Sequence, residues 1–457
     1  MRSVALITAP WRDPVEVLAA CADRPFAFAL LSDGTAPRGR WSYVMCDPAA
    51  TLVAGPQDPD PFAAMKALLG GTAPGAAGGP PFQGGVAGLL GYELGARIEA
   101  AGHRAHPDWP EVACALYDHL LAFDHETSQV LAIGRGADEP AAGAGARRAL
   151  ALLSASATPD ELPPGAPLTG DFAVITRGED YERAVAEVVA RIAAGEIFQA
   201  NIARRWGGRL NEGVRPFDLA RRLMTTSPAP FAAYLRLPGR AVVSNSPERF
   251  LSIREADGLV VEARPIKGTR PRGATAEQDA ALIAELLGCD KDRAENLMIV
   301  DLMRNDLSRV CPAGTVGVGE LFSIETFANV HHLVSSVTGT LAPGLATLDL
   351  LESAFPPGSI TGAPKVQAMK VIADYEGPRG PYCGSIFWAG FDGAGDSSVL
   401  IRTVGFLEAE GGWTYEAGAG AGIVADSDPR QERLETEAKI DALRRAFLGR
   451  PPRGGEG

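Results

Sequence analysis

Two predicted helices carry acidic side chains at a spacing that suits cation binding. Glu432 and Glu435 share a face near the start of the last predicted helix, and Lys439 follows one turn later. Asp292 and Glu295 have the same spacing on an earlier predicted helix. Carboxylates from two helices suit Mg²⁺ when substrate oxygens complete its octahedron. From spacing alone, solvated acids near the positive ends of two helix dipoles are the other interpretation, and both stay open.

The basic segment ARPIKGTRPRG, residues 263–273, could supply a nucleophile. Lys267 lies between an isoleucine and a glycine, where a lysine can be desolvated and act as nucleophile or base. The alternative is an exposed basic loop. Glu248, in SNSPERF, precedes an apolar strand, and a surface salt bridge is its default interpretation.

The segment FPPGSITGAPK, residues 355–365, could hold a carboxylate. Free backbone N–H groups at a helix start bind anions, and a lysine there adds charge. The residues delivered to this predicted start are Thr361, Gly362, Ala363 and Lys365. His331-His332 is interpreted as a strand pair, because no third metal ligand is suggested.

The elements that position these residues are predicted from caps and apolar periodicity. Helix starts are predicted at the capping-box pair Thr176 and Glu179, at Thr275 with Gln278, near Asp290, and at Asp428-Pro429, the last helix running to about Leu448.

Strands and helices are interleaved without strict βαβ alternation, which predicts an α+β fold. Three strand-like runs in 382–424 predict an antiparallel meander. An Ala-rich helix and a Pro-rich connector at 136–170 are the one compositional break. It separates an N-terminal region, 1–160, from a second region, 172–448, within one composite fold.

Composition excludes several classes of protein. Of 457 residues, 46% are hydrophobic, so a sizeable core can form. The net charge of −13 argues against nucleic acid or an anionic membrane as partner. The uncharged stretch 67–92 is rich in Gly and Pro and predicts a loop rather than a membrane span. Six scattered cysteines and no signal-peptide layout predict a cytoplasmic protein.

Nine motifs occur in order along the chain: QANIARRW, SNSPERF, PIKGTRPRG, AENLMIVDLMRNDLSRV, VHHLVSSV, PGSITGAPKVQAM, GSIFWAGFDGAGDSSVLIRTV, GAGIVADSDP and ERLETEAK. Together they resemble the chorismate-utilising enzymes, which include anthranilate, aminodeoxychorismate, isochorismate and salicylate synthases. The resemblance is dense over about 172–445. It implies an α+β fold in which two large antiparallel sheets pack face to face with helices outside.

The resemblance also implies chorismate as substrate, in a cleft between the sheets. Glu295 and Glu435, assisted by Glu432, would hold Mg²⁺ against the ring carboxylate. Glu248 matches the acid that protonates the departing C4 hydroxyl. The other implied substrate contacts are Lys439 with the backbone of Gly420 and Gly422 at the ring carboxylate, Tyr382 and Arg402 at the enolpyruvyl carboxylate, and Thr269 and His332 along the ring.

Two positions distinguish the subfamilies. Gln199 matches a lysine that activates water in isochorismate and salicylate synthases; a glutamine cannot take up a proton, so ammonia is the expected nucleophile. Lys267 matches the nucleophilic lysine of aminodeoxychorismate synthases, where anthranilate synthases typically read PIAGTRPRG. The resemblance therefore implies Mg²⁺-dependent amination of chorismate at C4, through a lysine adduct, for p-aminobenzoate and folate synthesis. Anthranilate synthesis is the alternative.

Two further expectations concern Lys267 and the ammonia supply. Burial and the nearby Arg264, Arg270 and Arg272 are expected to lower the pKa of Lys267. No glutaminase domain is recognisable, so a separate glutamine amidotransferase subunit is expected to form a heterodimer with this chain. LLSDG and SPAPFAAY depart from the tryptophan-inhibited pattern, so tryptophan feedback is not expected. A catalytically dead regulator is the non-enzyme alternative, and retention of the acids and Lys267 argues against it.

Overall fold

The computed structural model describes residues 3–34, 39–102, 104–155, 162–163, 165–256, 258–326 and 330–451. The strands in these ranges are β1 (Ser3–Pro10), β2 (Phe28–Leu31), β3 (Trp41–Met45), β4 (Ala50–Ala54), β5 (Gly85–Leu90), β6 (Val112–Tyr117), β7 (His119–Asp124), β8 (Gln129–Gly136), β9 (Ala173–Val174), β10 (Gln199–Arg209), β11 (Phe231–Leu237), β12 (Arg240–Ser246), β13 (Arg249–Ala256), β14 (Gly258–Ala263), β15 (Ile266–Pro271), β16 (Gly317–Thr326), β17 (Val330–Thr340), β18 (Gly362–Ala363), β19 (Ser385–Gly390), β20 (Gly395–Val399), β21 (Thr403–Ala409) and β22 (Gly412–Ile423). The α-helices are α1 (Pro14–Ala19), α2 (Pro61–Leu69), α3 (Leu94–Ile98), α4 (Glu139–Ser154), α5 (Gly178–Ala193), α6 (Pro216–Thr226), α7 (Ala276–Gly288), α8 (Asp290–Ser308), α9 (Thr347–Ala354), α10 (Lys365–Tyr375) and α11 (Pro429–Leu448), and a 3-10 turn spans Gly358–Ile360.

These strands form two antiparallel sheets. Sheet 1 has the order β1-β8-β7-β3-β2-β11-β12-β21-β22-β10-β18, with β9 beside β10. Sheet 2 has the order β15-β17-β14-β13-β20-β19-β5-β6-β4, with β16 beside β17. In sheet 1, β2 pairs with β11, and in sheet 2, β5 pairs with β19. The N-terminal and C-terminal parts of the chain therefore share both sheets.

One buried core lies between the facing sheets, and helices cover the outer faces. Phe28 of sheet 1 and Leu89 of sheet 2 belong to the same buried cluster between them. Side chains alternate along the strands, so Ala113 of β6 faces this core whereas Cys114 faces the opposite layer. Helices α1, α4, α6 and α11 cover sheet 1, and α2, α8 and α9 cover sheet 2. The predicted fold of two facing antiparallel sheets with outer helices is confirmed.

The helices that carry the acidic residues begin where the sequence predicts. The Asp428 side chain accepts a hydrogen bond from the Gln431 N–H, and Pro429 occupies the first turn, so α11 begins with two favourable residues. Gly449 ends it at φ 65°, a conformation that glycine adopts without strain. Thr275 caps α7 in the same way, and α8 begins at Asp290.

Two local predictions are wrong. Arg177, not Thr176, precedes α5, and the Thr176 hydroxyl accepts from the Arg205 N–H of β10 instead of capping the helix. Residues 382–424 form four strands in two sheets rather than one meander: β19 and β20 lie in sheet 2, β21 and β22 in sheet 1. The chain changes sheets at residues 400–402, where Leu400 bonds with Cys383 and Gly384. None of the described helices combines the length and apolar character needed to cross a membrane.

Candidate functional site

Two neighbouring strands of sheet 1 form one wall of the site. Asn201 of β10 lies opposite Gly422 of β22. Because side chains alternate along a strand, Gln199 and Asn201 share a face, while Ala200 and Ile202 pack into a cluster beneath α5 and α10. The wall therefore presents two amides beside a strand whose same-face residues are glycines.

The glycines of β22 allow close approach by the side chains around them. A Cβ on Gly422 would lie 2.2 Å from Gln199 Nε2 and 2.9 Å from Glu295 Oε1. A Cβ on Gly420 would lie 2.6 Å from Asn201 Oδ1 and 3.2 Å from the Tyr382 hydroxyl. On Gly418 it would lie 2.8 Å from the Tyr382 ring. Real Cβ atoms do not approach this closely, so glycine is required for this packing.

The predicted lysines and acids meet above this wall as ion pairs. Lys267 Nζ of β15 lies 2.7 Å from Glu295 Oε1 of α8, and Gln199 Nε2 donates to the same oxygen at 3.1 Å. On α11, Lys439 lies 2.6 Å from Glu435 and donates to the Gly420 carbonyl at 3.0 Å. Because the Lys267 side chain is only 13% exposed and lies on a strand, the exposed-loop interpretation is wrong.

Glu432 occupies a more buried position on the same helix. Its carboxylate accepts from the Ser427 hydroxyl at 2.7 Å and lies 4.0 Å from Lys291 Nζ at the start of α8. Burial raises the pKa of Glu432, and the neighbouring charge of Glu435 adds to this. The carboxylates of α8 and α11 thus face each other across one charge cluster.

The prediction that the pKa of Lys267 is lowered is wrong for the ligand-free chain. Burial alone would lower it, but the charge of Glu295, its hydrogen bond, and the charges of Glu248 and Glu435 outweigh burial and raise the pKa. Burial would raise the pKa of Glu295, but the lysines around it lower the value.

The three arginines are neutralised by other partners. Arg264 pairs with Glu262, Glu320 and Glu325; Arg270 with Glu285 and Asp292; and Arg272 with Asp279. The positive charges of these arginines are therefore balanced by their own carboxylate partners, and they do not determine the pKa of Lys267.

Glu248 is a buried carboxyl group that lies near other charged groups. It is 9% exposed, and burial raises its pKa against opposing effects of a Ser359 hydrogen bond and the charges of Lys267 and Lys439. The default surface salt bridge is wrong, because the neighbouring Arg249 binds Asp396 with two hydrogen bonds instead.

The residues expected along the substrate ring lie near the same strand. The Thr269 hydroxyl is 2.8 Å from His332 Nδ1, across the β15–β17 pair. Burial, with the charge of Arg402, lowers the pKa of His332 to about 4, so this imidazole is neutral at pH 7. Arg402 is accessible to solvent, but the protein atoms around its guanidinium remove enough water to lower its pKa. Within the described ranges no carboxylate pairs with it.

The FPPGSITGAPK segment borders the charge cluster, because Ser359 bonds to Glu248 and Ala363 pairs with Gln199, but its lysine does not join the cluster. The Lys365 ammonium is buried and donates to Asp306 and to the Ala354 carbonyl, both at 2.7 Å. The Thr361 hydroxyl bonds to carbonyls of its own turn, and Gly362 pairs with Ala200 of β10 in the short strand β18. Helix α10 begins at Lys365 as predicted, but the ammonium of Lys365 is bound to Asp306 and so does not offer a free charge to an anion. A carboxylate contact of Thr361 and Gly362 stays a prediction.

The carboxylates of the site are of the kind that binds Mg²⁺, but in this structure they form ion pairs with lysines. Among the described residues no group of three or more His, Cys, Asp or Glu side chains is arranged to hold a metal ion. Glu295, Glu432 and Glu435 nevertheless offer oxygen ligands within one charge cluster, and Gly422 leaves room beside Glu295. The donor set fits a hard divalent cation, and the Mg²⁺ assignment stays a prediction.

Three residues of the site were not singled out from the sequence. Asn201 Oδ1 and Gln199 Oε1 are buried acceptors without a hydrogen-bond partner, and the two-residue spacing of a strand could have revealed Asn201. Lys291 precedes Glu295 by one helical turn, a spacing that places both on one face. Ser359 lies in the 3-10 turn, and no pattern connects it to Glu248.

Comparisons with known proteins identify the family of this chain. Residues 27–445 match the chorismate binding enzyme family. Aminodeoxychorismate synthase component 1 of Klebsiella aerogenes is 39% identical over 97% of this chain and 99% of its own length. Anthranilate synthase component 1 of Streptomyces coelicolor is 41% identical over 89% of this chain and 81% of its own. The crystal structure of anthranilate synthase component I from Streptococcus pneumoniae superposes with a TM-score of 0.77 at 27% identity, covering 91% of this chain and 93% of that one. The chain belongs to the chorismate binding enzyme family.

Proposed function

We propose that this enzyme aminates chorismate at C4 and forms 4-amino-4-deoxychorismate, as an aminodeoxychorismate synthase component I. One observation carries the proposal: a buried lysine, Lys267, lies among carboxylates at the position where a nucleophile is expected. The 39% identity to the Klebsiella aerogenes enzyme over nearly the full length of both chains supports it.

Covalent catalysis by Lys267 divides a difficult substitution into two displacements. The unprotonated Lys267 amine bonds to C2 of chorismate, both ring double bonds shift by one position, and the C4–O bond breaks. Glu248 donates the proton with which the hydroxyl leaves as water. Ammonia then bonds to C4 and loses a proton, both double bonds shift back, and the C2–N bond breaks to return the Lys267 amine. The first step requires Lys267 to leave its ion pair with Glu295 and to be unprotonated.

The remaining residues orient the dianionic substrate. Tyr382 and Arg402 would bind the enolpyruvyl carboxylate, and Lys439 with the backbone of Gly420 and Gly422 would bind the ring carboxylate. Mg²⁺ held by the acids of α8 and α11 would supply further positive charge at that carboxylate. Gln199 cannot act as a base toward water, which favours ammonia as the second nucleophile.

The test is incubation of the purified chain with chorismate and Mg²⁺, first without and then with ammonium. Without ammonium, a Lys267 adduct should accumulate whose mass increase equals chorismate less one water. Lys267→Ala should lose both the adduct and product formation. Lys267→Arg should not restore them, because a guanidinium stays protonated. An active Lys267→Arg variant without any adduct on the wild type would contradict the covalent role.

Anthranilate synthesis is the second candidate, favoured by the 41% identity to the Streptomyces coelicolor enzyme. The same incubation distinguishes the two, since anthranilate is a fluorescent aromatic compound and 4-amino-4-deoxychorismate is a non-aromatic amine. Anthranilate as the main product would replace the first proposal by the second.

Ammonia would come from a separate glutamine amidotransferase subunit. The chain alone should therefore use ammonium salts but not glutamine, and its rate should rise with pH as free NH₃ becomes available. Adding a purified amidotransferase component should make glutamine a substrate. Glutamine-dependent turnover by this chain alone would contradict the two-subunit arrangement.

A further inference from the structure

Each acid proposed for Mg²⁺ lies close to a different lysine. Glu295 lies 2.7 Å from Lys267, Glu435 lies 2.6 Å from Lys439, and Glu432 lies 4.0 Å from Lys291. Each of these carboxylates therefore already has a positively charged group within 4.0 Å. The lysines come from three different elements, β15, α11 and α8, so no single local motif produces the arrangement.

The three pairs act as one electrostatic unit. Lys291 and Lys439 both influence Glu295 and Glu432, and Glu435 influences Lys267. With Glu248, the unit contains four carboxyl groups and three ammonium groups. It is therefore nearly neutral before any ligand binds, which accounts for the stability of so many carboxylates in one cleft.

We propose that these lysines are internal counter-cations that compete with Mg²⁺, and that Lys291 is a residue that sets the Mg²⁺ affinity. The inference rests on the proposed Mg²⁺ site. An ammonium beside a carboxylate opposes the binding of a metal ion to the same group, because the two positive charges repel each other. Mg²⁺ must then displace the lysines, and the affinity of the site is reduced by the ion pairs that are lost.

Lys291 is the member of the unit that can be tested separately. Lys267 and Lys439 are assigned to catalysis and substrate binding, whereas Lys291 has no other assigned role. Its side chain is 54% exposed, while that of its partner Glu432 is 6% exposed. An uncharged side chain at 291 should therefore fold normally and leave Glu432 with one competitor fewer.

The experiment measures Mg²⁺ binding to the full chain by calorimetry, without chorismate. Lys291→Gln should bind Mg²⁺ roughly three- to tenfold more tightly than the wild type, since a like charge a few ångströms from the cation is removed in a partly exposed setting. The matched control is Arg304→Gln on the same helix, whose guanidinium is 52% exposed and pairs with Asp301. It should leave the affinity unchanged. Glu295→Gln should weaken binding strongly.

The outcomes separate this inference from the proposed reaction. Equal affinity of Lys291→Gln and wild type, weaker binding by the variant, or no Mg²⁺ binding by either would overturn the counter-cation role. Lys291→Met, which keeps the aliphatic stem, should repeat the gain if charge is the cause. A product other than 4-amino-4-deoxychorismate would refute the proposed function and leave this result intact, because the titration contains no substrate.

Discussion

The proposed general acid, Glu248, is buried among groups that act on its pKa in opposite directions. Burial favours its neutral form, while the Ser359 hydroxyl and the charges of Lys267 and Lys439 favour the ionised form. The balance leaves a raised pKa, which is the condition for a general acid that works near neutral pH. The same lysines then stabilise the carboxylate that forms after the proton leaves.

Glu248→Gln should lower kcat by about 10²–10⁴-fold, the usual contribution of a general acid. The amide keeps the size of the side chain but cannot donate the proton with which the C4 hydroxyl leaves, so the Lys267 adduct should also form slowly. Steady-state rates with ammonium and adduct mass without it provide the measurement.

The control for this prediction is Ser359→Ala. It removes one hydrogen bond that favours the carboxylate and should move the pH profile upward without a comparable loss of kcat. Near-normal adduct formation by Glu248→Gln would mean that another group protonates the leaving hydroxyl.

At this scale the sequence identified the charged residues but not all of their partners. Lys267 and Lys365 look equivalent as lysines in turn-rich segments, yet one contacts Glu295 at the cleft and the other is buried against Asp306. The two lysines differ because each meets a different residue of α8, and the packing of distant segments decides which one it meets. The raised pKa of Lys267 has the same origin, because its partner is 28 residues away on α8.

At the scale of elements, strand β22 is the feature that shapes the wall of the site. Its alternating glycines 418, 420 and 422 face Tyr382, Asn201 and Gln199, so these three side chains pack directly against the strand backbone. The Gly420 carbonyl also accepts a hydrogen bond from Lys439. The run GAGAGIV is thus a consequence of close packing on one strand face.

Gly418→Ala should impair chorismate binding and stability together. The added Cβ would lie 2.8 Å from the Tyr382 ring, which must move, and overpacking of this kind costs about 1–3 kcal/mol. The KM for chorismate should rise, because Tyr382 is proposed to bind the enolpyruvyl carboxylate. Chemical denaturation and the dependence of rate on chorismate concentration measure the two effects.

Gly143→Ala in α4 is the matched control. Only the end of the Arg147 side chain lies within 4 Å of the added methyl group, so the helix should gain about 0.5–1 kcal/mol of stability with unchanged KM. An unaltered KM in Gly418→Ala would show that Tyr382 does not contact the substrate.

Elements with strong local signals were predictable, whereas elements defined by distant contacts were not. The cap at Asp428 and the length of α11 follow from residues next to each other in sequence. The change of sheets at Leu400 does not, because SSVLIRTVGF has the pattern of one strand and only the positions of β13 and β12 divide it. The predicted helix cap at Thr176 is wrong for a similar reason, because the Arg205 N–H of β10 donates a hydrogen bond to its hydroxyl.

At the scale of the whole molecule, the N-terminal region belongs to both sheets. Its strands form one end of sheet 1 and one end of sheet 2, and the core between the sheets contains residues from both parts of the chain. The compositional break near residue 160 therefore marks a change in sequence character that does not coincide with a division of the sheets. Motifs dense in the second region could not reveal this, because the pairing of β2 with β11 and of β5 with β19 joins segments far apart in sequence.

This sharing of sheets predicts that the second region cannot fold alone. A fragment of residues 162–457 would expose the edges of β11 and β19 and one side of the core between the sheets, including the partners of Phe28 and Leu89. Unpaired edges and exposed apolar faces favour aggregation over a cooperative fold. The fragment should show no cooperative unfolding transition and no chorismate-dependent turnover. Mixing it with residues 1–155 during refolding should restore both, since the missing strands then return in trans. A stable, cooperatively unfolding 162–457 fragment would show that the catalytic region is an independent domain, and that the two sheets tolerate the loss of their N-terminal ends.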